Sequence, residues 1–171
     1  MMKRVGIITT LSTLVVALLA PAALAATTFD PTAAPAGTHV QTGTPSCTVS
    51  GLTVTCSEYE LAGVGNTDAT ADLSATYSAT VVCINAGGKP SDGQHQGSFT
   101  ASSTTGELSP TNGRLTVPSL SVTAPTEADF LAQQTCPNPN WTPTIPGGIT
   151  LSGFTYTLTF DGFSGAFITI T

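Results

Sequence analysis

From Ala71 to Cys83 the chain alternates between two kinds of side chain. Ala71, Leu73, Ala75, Tyr77, Ala79, Val81 and Cys83 fall on one parity, and Thr70, Asp72, Ser74, Thr76, Ser78 and Thr80 on the other. A period of two residues is the signature of a strand with one face in a core and one in water. The run is longer than an ordinary strand, which predicts a bend or bulge within it.

The same logic places a hairpin at CTVSGLTVTC, Cys47 to Cys56. A type II′ turn at Gly51-Leu52 pairs Ser50 with Thr53 and, three steps out, Cys47 with Cys56. That pair is of the non-hydrogen-bonded type, whose Cα atoms lie close enough for a disulfide. Cys47, Val49, Val54 and Cys56 then share an apolar face, and Thr48, Ser50, Thr53 and Thr55 a hydroxylated one.

At the other end, Asp161-Gly162 predicts a type I′ turn pairing Phe160 with Phe163, Leu158 with Gly165 and Tyr156 with Phe167. Ile149 and Leu151 sit on the opposite parity, which predicts a bulge at Gly153. Ile168 and Ile170 switch parity again, and the terminal FITIT is an expected free strand edge. Between these ends, NAGGKPSDGQ (Asn85 to Gln94) is dense in turn residues, and a strand follows around Gly97 to Ser103. Further turn signals lie at Gly106, Pro110 and Asn112-Gly113. Leu115-Thr116-Val117 and Leu120-Ser121-Val122 flank Pro118, as in an edge strand or bulge. Thr126 and Asp129 open the single helical candidate, EADFLAQQ. With about seven to nine strands and at most one short helix, the expected fold is all-β, an antiparallel β-sandwich of immunoglobulin-like or Greek-key type.

The first residues change where this fold is expected to live. Lys3 and Arg4 precede an apolar run from Val5 to Leu19, then Pro21 and the small-residue site Ala23-Leu24-Ala25. That order reads as a secretory signal peptide, residues 1–25, cleaved after Ala25. Residues 26–45, rich in Thr, Ala, Pro and Gly without periodicity, are expected to form a flexible leader, and residues 46–171 a single domain. Export permits disulfides, so Cys47–Cys56 leaves Cys83 to pair with Cys136 by elimination. The spacings lack the paired C-x2-C knuckles of a zinc site.

Cleavage leaves Lys89 and Arg114 as the only side-chain cations against ten acidic residues, a net charge near −8. Two cations cannot neutralise a run of phosphates, so no nucleic-acid partner is expected, and no membrane association after signal cleavage. The two histidines, His39 and His95, lie far apart in sequence, and no nucleophile elbow, zinc pair or phosphate loop is present. Pairs such as Asp68/Asp72 and Glu58/Glu60 are ordinary solvated positions on strands. The expectation is therefore a non-enzymatic protein with no cofactor and no metal. If Cys83 bonds to Cys136, two loops emerge together, bringing Asn85, Lys89, Asp92, Gln94 and His95 near Asn138, Asn140 and Trp141, the sole tryptophan. An aromatic plate among convergent amides suits a small ligand or glycan.

The runs TYSATVVCINAGGKPSDGQ (Thr76–Gln94), CPNPNW (Cys136–Trp141) and YTLTF (Tyr156–Phe160) resemble uncharacterised small secreted disulfide-containing β proteins of Gram-positive bacteria. That resemblance implies an exported β domain, secreted or held at the cell surface, and carries no activity with it. In composition alone the chain is similar to the antitumour chromoprotein apoproteins, acidic secreted sandwiches with two disulfides and a small ligand. Two functions follow: a structural or interaction module of the cell exterior contacting an unknown extracellular protein or glycan, or a ligand-binding module built on the Trp141 loops.

Overall fold

The structure, a computed structural model, describes residues 25–171, with only the backbone at residues 91–94. The expected signal peptide lies outside the described residues apart from Ala25. Twelve strands are present: β1 (Thr27–Phe29), β2 (His39–Gly43), β3 (Cys47–Ser50), β4 (Thr53–Cys56), β5 (Tyr59–Ala62), β6 (Ala69–Ile84), β7 (Pro90–Leu108), β8 (Arg114–Val117), β9 (Leu120–Thr123), β10 (Thr142–Thr144), β11 (Thr150–Phe160) and β12 (Ile168–Ile170). A 3-10 turn at Pro31–Ala33 and one short helix, α1 (Glu127–Ala132), complete the described elements.

The alternating run is β6, and the fold is arranged around it. It pairs with β7 along one side and with β11 and then β10 along the other; β12 and β1 continue the sheet beyond β11. All pairings are antiparallel. Ala69, Ala71, Leu73, Ala75, Tyr77, Ala79 and Val81 are all buried. The predicted irregularities appear between Thr70 and Asp72 and between Val82 and Ile84. The register of β11 shifts between Leu151 and Gly153, where the parity change placed a bulge.

A second layer covers this sheet. It consists of the sheets β2-β5-β8 and β3-β4-β9, which run on from one another through short crossings at Thr44–Ser46, Ser57-Glu58 and Pro118-Ser119. Counting each interrupted ribbon as one strand brings the twelve to the expected range. Pro118, expected at an edge or bulge, marks a change of sheet: it has no N–H to offer a ladder, so the pairing breaks there. Ser57 Oγ donates to Thr44 O at 2.7 Å and accepts from Ser46 N at 3.1 Å, pinning the neighbouring crossings.

The β3–β4 hairpin has the expected register, Cys47 opposite Cys56 and Ser50 opposite Thr53, with Gly51 at φ 58° and the disulfide formed. Val49 departs from the expectation. It is exposed, because β3 is the outer strand of its sheet. Cys83 bonds to Cys136, tying β6 to the segment after α1.

Four sequence expectations need correction. Residues 26–45 are not a flexible leader: β1 pairs with β12, β2 pairs with β5, and Ala33 and Ala34 are buried. Strands of three and five residues flanked by proline carry too little periodicity to read, and their stability comes from the partners they meet. For the same reason FITIT is no free edge, since β12 lies between β11 and β1. The C-terminal hairpin pairs Leu158 with Ile168 and Tyr156 with Ile170, three residues beyond the expected register. Gly162 takes φ 80° while Asp161 does not take positive φ, so the turn is not type I′, and the longer loop turns Phe167, Ile168 and Ile170 into buried residues. Finally, the turn after β6 spans only Asn85–Lys89, and β7 begins at Pro90.

Helix α1 is capped as expected, Thr126 Oγ1 accepting from Asp129 N at 3.2 Å. It drops Phe130 into a small satellite core with Ala79, Val81 and Ile145. Close approach there requires a bare backbone at Gly97. A Cβ on Gly97 would lie 2.9 Å from the Phe130 ring. Gly97→Ala is expected to lower stability by about 1–3 kcal/mol by lifting α1 off the sheet. Chemical denaturation with unchanged far-ultraviolet strand signal checks it.

Candidate functional site

The end of the sandwich where Trp141 lies is built by β6, β7 and β10. Thr142 pairs with Ile84, so Trp141 follows the register to a place beside Asn85. Val81, Val82 and Cys83 are all buried, so both faces of the sheet are covered at this end. Asn85 Oδ1 accepts from Gly87 N at 2.9 Å and Lys89 N at 3.1 Å, closing its loop. Asn138 Oδ1 accepts from Asn140 N at 2.9 Å, and Trp141 N donates to Asn138 O at 3.0 Å. The structure therefore brings the two loops together, with the side-chain oxygens of Asn85 and Asn138 engaged in shaping turns. Trp141 is half-buried; Asn140, Lys89 and His95 are exposed. His95 pairs with Val81, four residues down β6 from Asn85, and so stands roughly 13 Å from the loop base. The side chains of Asp92 and Gln94 lie outside the described residues.

Glu58 and Glu60 line one cleft, whereas Asp68 and Asp72 have different surroundings. Glu60 accepts from Arg114 Nη1 at 2.6 Å across β5 and β8, between open clefts of about 270 and 490 Å³. Asp72 stands on the outer face of β6 opposite Thr157 and Thr104. Asp68 instead joins Glu107 and Asp161, whose carboxylate oxygens lie within 4.8 Å of one another. An all-oxygen set of this kind is the donor chemistry of hard cations. Nothing in the sequence pointed to it, because the three residues sit at the ends of three strands and meet only through register. His39, on β2, donates from Nδ1 to Gly37 O at 2.8 Å.

All three tyrosines are buried. Tyr59 and Tyr156 meet hydroxyl to hydroxyl at 2.8 Å, from opposite layers, and Tyr77 Oη donates to Leu52 O at 3.0 Å. Burial raises the phenol pKa of each; for Tyr156 it reaches about 12, with the Asp72 charge adding to the effect and the Tyr59 hydrogen bond opposing it.

The outer face of the six-stranded sheet is a further exposed feature. Cross-strand rows such as Thr157-Asp72-Thr104 and Thr155-Ser74-Ser102 carry hydroxyls from strand to strand. Some bond to each other, Thr76 with Thr100 at 3.4 Å and Ser78 with Thr150 at 3.3 Å. The second layer repeats the pattern, Thr53 with Thr123 at 3.0 Å and Thr55 with Ser121 at 3.1 Å. Among the described residues, no helix is long and apolar enough to cross a membrane.

Above pH 10 the phenols of an unfolded chain ionise while the folded ones stay protonated. The stabilisation present below pH 10 is therefore expected to fall as pH rises toward about 12 and beyond. Tyrosinate absorbance should rise together with unfolding. Tyr59→Phe leaves the Tyr156 hydroxyl unpaired and should cost about 1–3 kcal/mol, part of which the Tyr59→Phe/Tyr156→Phe pair restores.

Comparison with known protein families, with curated proteins and with solved structures gives no match.

Proposed function

We propose that this chain is a non-enzymatic structural or interaction module of the bacterial cell exterior, exported by residues 1–25 and acting through surface contact. The observation that carries this reading is the hydroxyl-bearing outer face of the six-stranded sheet. Threonine and serine hydrate a large sheet face with little charge, and the charge of Asp72 on it is negative, so it favours neutral partners over phosphates or anionic lipids. Two disulfides suit an oxidising compartment, and neither leaves a free thiol among the cysteines. Extracellular proteins and glycans are the partner classes this surface suits.

A second reading places a small-ligand or glycan site at the Trp141 loops. It is favoured by the juxtaposition of Asn85 with Trp141 and by the Cys83–Cys136 bond that holds their loops together. Its binding groups would be the Asn140 amide, Lys89 and the indole edge.

Expression of the tagged full chain in a Gram-positive host tests the first reading. The expected product is found in the medium or wall fraction, oxidised, and beginning at Ala26. A reduced, uncleaved chain retained in the cytoplasm would overturn it. For the second reading, Trp141→Ala should fold normally and lose any oligosaccharide-induced change in intrinsic fluorescence or retention on a glycan array.

A further inference from the structure

The hydroxyl face is not uniform. At the β11 bulge, the extra residue Ser152 turns its hydroxyl outward, where it donates to Ser78 Oγ at 2.6 Å. The next residue, Gly153, pairs with Thr76 on the outer face and contributes no side chain there. The result is an open groove of about 460 Å³. Gly153 lies in it, Ser74, Thr76, Thr155 and Ser152 line it with hydroxyls, and Thr171 completes the lining; Phe154, opposite Ala75, is half-buried against the core beneath. No ionisable side chain is among the described residues lining it.

We propose that this groove binds a neutral polysaccharide chain, a reading that rests on the surface-contact function above and assigns it a site and a partner. The chemistry is one of matching groups. Each Ser or Thr hydroxyl both donates and accepts, as each sugar hydroxyl does, so two such arrays can exchange hydrogen bonds without leaving a donor or acceptor unpaired. Threonine methyls face the C–H surfaces of a sugar ring. A phosphate or carboxylate ligand would find no cation in the groove to offset its desolvation. The groove volume falls in the range of carbohydrate and small-molecule sites, and its open shape on a long sheet admits a chain rather than a single enclosed sugar. It lies about eight residues along β6 from the Trp141 loops, roughly 27 Å away, so the two sites are separable.

Native electrophoresis of the oxidised chain from Ala26, in gels containing a soluble neutral glucan, mannan or xylan, tests the site, with alginate as the anionic control. Retardation is expected in at least one neutral gel and not in alginate. Gly153→Gln fills the groove where no atom lies within 4 Å of the new Cβ and no positive φ opposes it, so the fold should survive. It and Thr76→Val should weaken binding by about fivefold or more, whereas Thr55→Val on the opposite layer should leave it unchanged. Thermal melts establish that each variant is folded. The proposal is overturned if no neutral polysaccharide retards the protein, or if the groove variants bind as well as the parent. Loss of retardation in Trp141→Ala alone would move the glycan site to the loops. In both cases export of the protein would leave the exterior function standing.

Discussion

Every second residue of β6 must leave water, and the rest of the molecule is arranged to let it. The buried set from Ala69 to Val81 is mostly alanine, with Leu73 and Tyr77 as its large members. Small residues on the central strand let the second layer approach closely, and Val54, Leu61, Leu115 and Val117 fill the space between. A slip of one residue in either pairing of β6 would turn this face to solvent and bury Asp72 and a row of hydroxyls. The alternation therefore defines the register of β7 and β11, and through β11 the positions of β12 and β1.

The two layers are joined by more than apolar contact. Tyr59 and Tyr156 share a hydrogen bond across the interior, and Tyr77 reaches the carbonyl of Leu52 in the hairpin turn opposite. Each phenol satisfies its polar end where water is excluded, so these rings fill the core and also orient one layer on the other. Neither disulfide crosses between the layers. One clamps a hairpin within its sheet and the other ties down the segment after α1, so their contribution lies in restricting the unfolded chain, by about 3 kcal/mol for the short loop and about 4 for the long one.

The outer faces show what the same alternation does on its other side. Because nearly every outward position is Thr or Ser, pairing the strands assembles hydroxyls into rows without any residue being specialised for contact. A single bulge then breaks the rows and opens a groove over Gly153. Most charged residues lie at margins and strand ends, Glu60 with Arg114 on the second layer and Asp68, Glu107 and Asp161 at one end of the main sheet, while Asp72 stands within a hydroxyl row on β6. A face rich in hydroxyls, whose Asp72 is negative, suits uncharged partners better than anionic ones.

What the sequence determined by itself was local. Alternation over Ala71–Cys83 specified a strand and its buried face, SGLT between two cysteines specified a clamped hairpin, and the Leu151/Gly153 parity change specified a bulge. In each case solvation of a residue depends on its own strand's pleat. What only the tertiary structure decided was which strands meet. Thr27–Phe29 becomes a strand because β12 offers it a ladder, and the same pairing removes FITIT from the edge. The C-terminal loop takes three more residues than its turn signal required because Ile168 and Ile170 gain more from burial than a tight turn would. The carboxylate trio and the groove both combine residues from distant segments, and their meeting is a property of register, which is set by the summed burial of whole strands and not by any motif within one.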